Sequence, residues 1–392
     1  MKKVLFGHDH YFKYDLSRKF YSGGGFPASC WSRYLSGFDH VTVIGRDGGF
    51  LLEEDNKYTL SSRDAVSFEL VANLSNLSSL LFGNKEVDLK IEALVSNHDA
   101  IIARLYSNIG LKLVQEAINQ NKPYAIELVS CPWDSLWNYG GLTGKIFAGF
   151  AAFKVRKAVW RSGFVLYVTS DFLQKRYPCK FGETVACSNV ELDRQNYDVL
   201  TDRIERVDRI KVPRIGLIGN YTSNYKGIDV AIKSLQILVA YFPHAELHVI
   251  GSGDQSYYLS LARELGIIDN IFFPGQLSSG KSVLEFLDTV DIYIQPSLTE
   301  GLPRALIEAM SRGCPAIGSR VGGIPELLDN NDTIDPGDYL ALAEKIKCVL
   351  NNTALHKEMA RRNFKKSNEY SFDVLCGKRE DFWLGFSKFV ES

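Results

Sequence analysis

Two acids, Glu300 and Glu308, stand in the stretch TEGLPRALIEAM, the first in a loop and the second on a helix, with seven residues between them. A neutral ligand held by both must present hydroxyl donors, as sugars and ribose do. Each buried, charge-assisted bond of that kind contributes about 1.5–3 kcal/mol. Nothing else in its loop asks for an acid at Glu300. At Glu308 the spacing leaves two readings open, because Arg304, Glu308 and Arg312 recur every four residues and equally fit an exposed ion-pair row of about 0.3–0.5 kcal/mol per pair. Downstream, Gly322 and Gly323 precede a helix start at Pro325, an arrangement that aims backbone N–H groups at an anion or makes an ordinary turn. Upstream, Lys226 precedes a helix over 228–241, where an ammonium neutralises phosphate or lies solvated on the surface.

The elements around these residues follow from local chemistry. Ile292 to Gln295 is a short strand and Ser297 to Gly301 its turn. Pro303 fits the first helical position, where a missing N–H costs nothing. Gly313 and Pro315 end that helix. A second strand, Ala316 to Gly318, delivers the glycine pair. Two loops therefore leave the carboxyl ends of neighbouring strands, the edge at which open parallel sheets bind ligands. Further strands at Ile215 to Ile218, Glu246 to Gly251 and NIFFPGQL alternate with helices, which predicts an α/β, doubly wound parallel sheet.

The first half repeats this alternation. Val4 to Gly7 is a strand, followed by the polar loop HDHYF. Neighbouring residues there point to opposite sides, so His8, Asp9 and His10 read as a loop that touches substrate rather than as a metal site. A turn containing Gly24 and Gly25 opens a helical stretch over 28–35. The segment SCPWDSLWNYGG reads as an aromatic loop. Trp133, Asp134, Trp137 and Tyr139 in it suit stacking on a sugar, or pack as any loop does. The apolar helix of GKIFAGFAAFKVRKAVWRSG is edged by Lys154, Arg156, Lys157 and Arg161. It reads as a core helix with a cationic end, or as one lying on an anionic membrane surface. Residues 192–212 read as a linker.

The motifs TEGLPRALIEAMSRGCPAIGSRVGGIPELL and GNYTSNYKGIDVAIKSL, in that context and order, resemble the donor-binding half of retaining glycosyltransferases of family 4. The resemblance covers about residues 212–350. It implies the GT-B fold: two Rossmann-like domains facing a central cleft, at 1–195 (completed by 371–392) and 196–370, with the last helix crossing back to the first domain. It implies transfer from a nucleotide-sugar donor to a glycan or lipid-linked glycan acceptor, with no cofactor and no metal. Glu300 would hold the transferred sugar, Glu308 the ribose and Lys226 the phosphates. Gly24, Gly25, Leu302, Arg304, Gly322 and Gly323 would approach the donor, and Gln276 its base. Trp133, Trp137 and His10 fall on the acceptor side. Three departures stand out. Pro303 sits earlier in the Glu-x7-Glu stretch than in many members, which changes the N–H groups that meet phosphate and leaves those of Leu302 and Arg304. Asn220 occupies the place of a common arginine, and no histidine is evident near 127–135, where Glu127 or Asp134 would have to act. Segments such as IIARLYS and AIELVSCPWDS resemble transferases for capsule, exopolysaccharide or O-antigen. A sugar-nucleotide epimerase of the same fold and a non-catalytic partner subunit remain the alternatives.

Composition sets the outer bounds. With 392 residues, 45% hydrophobic and 23% charged, the chain exceeds one core and predicts two domains. A net charge of −1 argues against a nucleic-acid partner. Seven cysteines without CxxC spacing predict a reducing, cytoplasmic setting, peripheral to the membrane face if the basic helix lies there. MKKVLFGHDHYF reads as a first strand too short for a signal peptide, and no apolar run is long enough to span a membrane.

Overall fold

Short runs such as Val4-Leu5-Phe6 and Ile101-Ile102 are wholly buried. Strands apolar on both faces belong in parallel sheets covered by helices. A computed structural model of the chain describes residues 1–51, 58–74, 83–139, 141–190, 192, 194–222, 224–277 and 280–391. Its residues group into two compact units. The first comprises Met1–Pro132, Gly149–Cys187 and Leu375–Ser392, and the second Trp133–Ala148 and Ser188–Val374. The stretch 133–148, expected in the first domain, therefore groups with the second.

Among the described residues the first unit holds β1 (Lys3–Tyr14), β2 (Phe20–Ser22), β3 (His40–Phe50), β4 (Thr59–Leu60), β5 (Val66–Val71), β6 (Ala100–Leu105), β7 (Tyr124–Leu128), β8 (Phe164–Tyr167) and β9 (Glu183–Ala186). The parallel strands run in the order β5-β3-β1-β6-β7-β8-β9, while β2 and β4 join antiparallel on the far end of β1. Winding outward in both directions from β1 places the switch point between β1 and β6. The stretch expected as a loop after Gly7 instead continues β1 to Tyr14. Beyond a register shift it pairs with β3 at Tyr11↔Arg46, and with β2 at Phe12↔Ser22. Those ladder bonds come from residues distant in sequence, which local polarity does not reveal.

Helix Phe372–Glu391 closes the first unit. Trp383 and Phe386 are fully buried, with ring centroids 5.2 Å from Tyr34 and 5.8 Å from Phe38. A Cβ on Gly37 would strike the Trp383 carbonyl, so glycine lets the helix approach this closely.

The second unit carries β10 (Arg214–Ile218), β11 (Glu246–Ile250), β12 (Ile271–Gly275), β13 (Ile292–Gln295), β14 (Ala316–Ser319) and β15 (Thr333–Ile334). All are parallel, in the order β12-β11-β10-β13-β14-β15. This is again the two-way winding, with its switch point between β10 and β13. Ile215, Leu217, Val249, Ile292 and Ile294 are among the strand residues that the sheet contributes to the core. The segment expected as a linker contains helix Tyr197–Arg206. Arg203 is buried there and donates to the carbonyls of Arg312, Val290 and Leu287 at 2.7, 2.6 and 2.8 Å. A guanidinium with its donors satisfied by carbonyls packs like a core residue, so a polar sequence conceals a docked helix.

Candidate active site

At the switch point of the second sheet, the loop after β10 meets the loop after β13. Lys226 Nζ donates to Glu300 Oε1 at 2.7 Å, with the two side chains only 17% and 9% exposed. The same oxygen accepts Ser297 Oγ at 2.8 Å and Gln295 Nε2 at 3.0 Å. Gln295 is itself oriented by the buried Tyr293 hydroxyl, which donates to its Oε1 at 2.8 Å. Three donors thus pin Oε1, and among the described residues none engages Oε2. That second oxygen is the group left to accept hydroxyls from a ligand.

Burial is the largest single influence on the Lys226 pKa and lowers it, but the Glu300 carboxylate, through its charge and its hydrogen bond, together with Tyr225 turns the net direction upward. Burial, reinforced by Glu300, pushes the Tyr293 phenol well above its ordinary value and keeps it a neutral donor. Sequence reading passed over Tyr293, Gln295 and Ser297. Their signal was present: polar atoms at every second position of an otherwise apolar strand share one side.

Glycines set the approach of the loops. Gly227 has φ +69°, and a Cβ there would overlap the Pro296 carbonyl oxygen. Gly322, at φ +55°, lies equally close to the Glu300 carbonyl, and Gly323 N–H donates to the Gly301 carbonyl at 2.6 Å. Of the two readings of this pair, an N–H cradle for an anion or a turn, the Gly323 N–H follows the second: it is spent on locking the β14 loop onto the Glu300 loop. The helix following it, Ile324–Leu327, has only four residues.

Glu308 lies on helix Arg304–Ser311, whose N-cap is Pro303 and whose amino end has no side-chain cap. The alternative ion-pair row does not form. Arg312 is taken by Asp288, at 2.7 Å from Nε to Oδ1. Among the described residues the Glu308 carboxylate has no hydrogen-bond or ion-pair partner, although its main-chain carbonyl accepts Ser311 Oγ at 2.7 Å, and burial raises its pKa. Arg304 is exposed and Leu302 partly buried at the start of this helix. Asn220 is exposed and turns inward on its own loop, its Oδ1 accepting the Thr222 N–H at 2.7 Å. Gln276 is exposed just after β12, where Gly275 has φ +90°.

The aromatic segment is a helix, Pro132–Tyr139, rather than a loop. Trp133 and Trp137, one turn apart, stack at 5.5 Å with planes 9° apart, and both are exposed. Asp134 shares that helix; the side chain of Tyr139 is outside the described residues. Asn138 Nδ2 reaches the Leu298 carbonyl at 3.5 Å, so this helix borders the Glu300 loop within the second unit.

In the first unit His10 Nε2 bonds Ser22 Oγ at 2.7 Å, and its ring fills the space over Gly25; Gly24 has φ +80°. Burial and the Arg104 charge lower the His10 pKa to about 4. Asp9 does not line a loop. Both its carboxylate oxygens accept, at 2.9 Å, the N–H groups of Asn108 and Ile109 opening helix Asn108–Asn119. The anion position at this unit's switch point is filled by the protein itself. Glu127, considered as a stand-in for the missing histidine, is 1% exposed and spends both oxygens, on the Tyr34 hydroxyl at 2.9 Å and Arg104 at 3.0 Å. Among the described residues no three His, Cys, Asp or Glu side chains converge as metal ligands, and no helix is long and apolar enough to cross a membrane.

The model of the family described as glycosyl transferases group 1 matches residues 205–366, the span that holds the Lys226–Glu300 pair. Residues 205–366 thus resemble a group 1 glycosyltransferase domain. Over its whole length it resembles protein CapJ of Staphylococcus aureus, 28% identical over 392 residues that cover 99% of this chain and 96% of CapJ. The capsular polysaccharide biosynthesis glycosyltransferase CapM, also of Staphylococcus aureus, is 26% identical, with 89% of this chain and 90% of CapM covered. Among solved structures, sucrose-phosphate synthase from Thermosynechococcus elongatus superposes with a TM-score of 0.70 at 15% identity, over 100% of both chains. Anabaena HepE in complex with UDP-glucose gives 0.65 at 16% identity, over 97% of this chain and 99% of that one. The glycosyltransferase domain thus belongs to a chain of GT-B fold.

Proposed function

We propose that this glycosyltransferase moves a sugar from a nucleotide-sugar donor to a hydroxyl of a glycan or lipid-linked glycan, with retention at the anomeric carbon, in the assembly of a surface polysaccharide. The observation that carries the reading is Glu300, with one carboxylate oxygen pinned by Lys226, Ser297 and Gln295 and the other unengaged among the described residues. Glu300 Oε2 accepts hydroxyls of the transferred sugar. Glu308, partly buried and with a carboxylate unpaired among the described residues, accepts from the ribose. Lys226 and the uncapped first-turn N–H groups of helix Arg304–Ser311 receive the phosphate charge as the glycosidic bond breaks. The leaving phosphate takes the acceptor's proton, and no metal is required. Trp133 and Trp137 offer stacked, exposed rings to an acceptor sugar. Similarity to CapM supports a capsule-type product, and the HepE complex supports a uridine nucleotide donor.

The test is a panel of nucleotide sugars screened for binding and slow hydrolysis, with and without EDTA. The anomeric configuration of the released sugar is read by NMR, and Glu300→Ala and Lys226→Ala are run in parallel. One donor bound and hydrolysed with retention, unaffected by EDTA and lost in both variants, is the expected result. Failure of the native protein to bind any nucleotide sugar would leave the non-catalytic subunit as the better reading. An altered sugar recovered still attached to its nucleotide would indicate epimerase chemistry.

A further inference from the structure

Helix Gly141–Arg161 is apolar on two opposite sides. Its small residues Ala151, Val155, Ala158 and Val159 are buried in the first unit. Its large ones are not: Phe150 is 57% exposed, Phe153 64% and Trp160 40%. Together with Lys157 these recur at three- and four-residue spacing, which places them on one stripe facing away from the core. Phe181, 77% exposed, adds a further ring, and Lys180 Nζ lies 5.0 Å from the Trp160 ring and 5.1 Å from the Phe181 ring. Soluble surfaces scatter single apolar residues, whereas a row of bare aromatic rings needs a partner.

Charge identifies that partner. The stretch 141–162 contains no acidic residue, and Lys154, Arg156, Lys157 and Arg161 are all exposed, as is Lys180. Lys154 Nζ lies 4.3 Å from the Phe150 ring. An apolar stripe with cations within and beside it matches a bilayer interface, where rings enter the acyl boundary while ammonium groups remain at anionic headgroups. We propose that this face docks on an anionic lipid bilayer. For the transferase reading this means that the acceptor is met at a lipid surface; the docking itself does not depend on the donor chemistry.

The test uses the full chain and vesicles of phosphatidylcholine, pure or with one part phosphatidylglycerol to three. The native protein is expected to co-sediment with the anionic vesicles, to ignore the neutral ones and to release in high salt. Phe153→Ser with Phe181→Ser is expected to weaken partitioning by about tenfold or more, each ring being worth that much when buried. Lys157→Glu with Lys180→Glu is expected to lose about tenfold or more, since each cation contributes about fivefold. All four positions are exposed, and unchanged nucleotide-sugar binding by the variants reports an intact fold and separates this proposal from the donor assignment. Partitioning equal to native in both variants would overturn the proposal. So would a native protein that ignores anionic vesicles, or one that self-associates through this face and is rendered monomeric by the same substitutions.

Discussion

Replacing Lys226 with methionine keeps the length of the side chain and removes its charge. Glu300, 9% exposed, would then keep only Ser297 and Gln295 as donors to Oε1. Breaking a buried ion pair from one side costs about 3–5 kcal/mol, most of it the uncompensated charge. With two neutral donors retained and Lys226 itself 17% exposed, the expected loss is smaller. About 2 kcal/mol is a reasonable figure, equivalent to about 4–8 °C in the melting transition of a unit this size. The assay is a thermal melt of native, Lys226→Met, Glu300→Gln and the double variant, paired with donor hydrolysis. Glu300→Gln removes the charge that needs compensation, so the double variant should regain most of the stability lost in Lys226→Met. Turnover should stay down by about 100-fold or more in all three, because stabilisation of the leaving phosphate or of the sugar is gone. A Lys226→Met protein that melts with the native one, or a coupling below about 0.5 kcal/mol, would refute the claim that this pair organises the site.

Three further outcomes are expected. Gly322→Ala forces a side chain into the Glu300 carbonyl at a φ of +55°, so it should destabilise the second unit by about 2 kcal/mol or more and abolish hydrolysis, read by melting and turnover. Glu308→Ala should raise the donor KM about 10- to 150-fold if the carboxylate holds the ribose; because burial raises its pKa, native donor affinity should fall as the pH drops through that raised value, whereas Glu308→Gln should be flat. Burial first, then neighbouring cations, depress His10 and His356 from 6.5 to about 4. The unfolded chain therefore takes up protons below pH 6.5 that the folded one refuses, so stability is full above that pH and declines toward pH 4. By pH 4.5 each histidine should cost up to about 2.5 kcal/mol, seen as a falling urea midpoint that His356→Gln partly flattens.

Much of the second unit was legible because its chemistry is local. Pro303, Gly313 and Pro315 bound one helix through backbone constraints that act within a few residues, and β13 and β14 carry their own apolar runs. Order along the chain also brought Glu300 and Lys226 to the same sheet edge, since a parallel sheet places every strand's exit loop on one side. What lay beyond the sequence depended on partners far along the chain. The continuation of β1 through His8 and His10 rests on ladders with β2 and β3, and the helix at 197–206 rests on carbonyls more than eighty residues away that satisfy Arg203. Gly322 and Gly323 permit close approach, which suits an anion cradle or an ordinary turn, but the tertiary structure decides what approaches, and it is the Glu300 loop. Residue type thus determined which groups were able to do chemistry. Packing alone decided which were spent internally, as with Glu127 and Asp9, and which were left open, as with one oxygen of Glu300, because a carboxylate's availability depends on the donors that the fold brings to it.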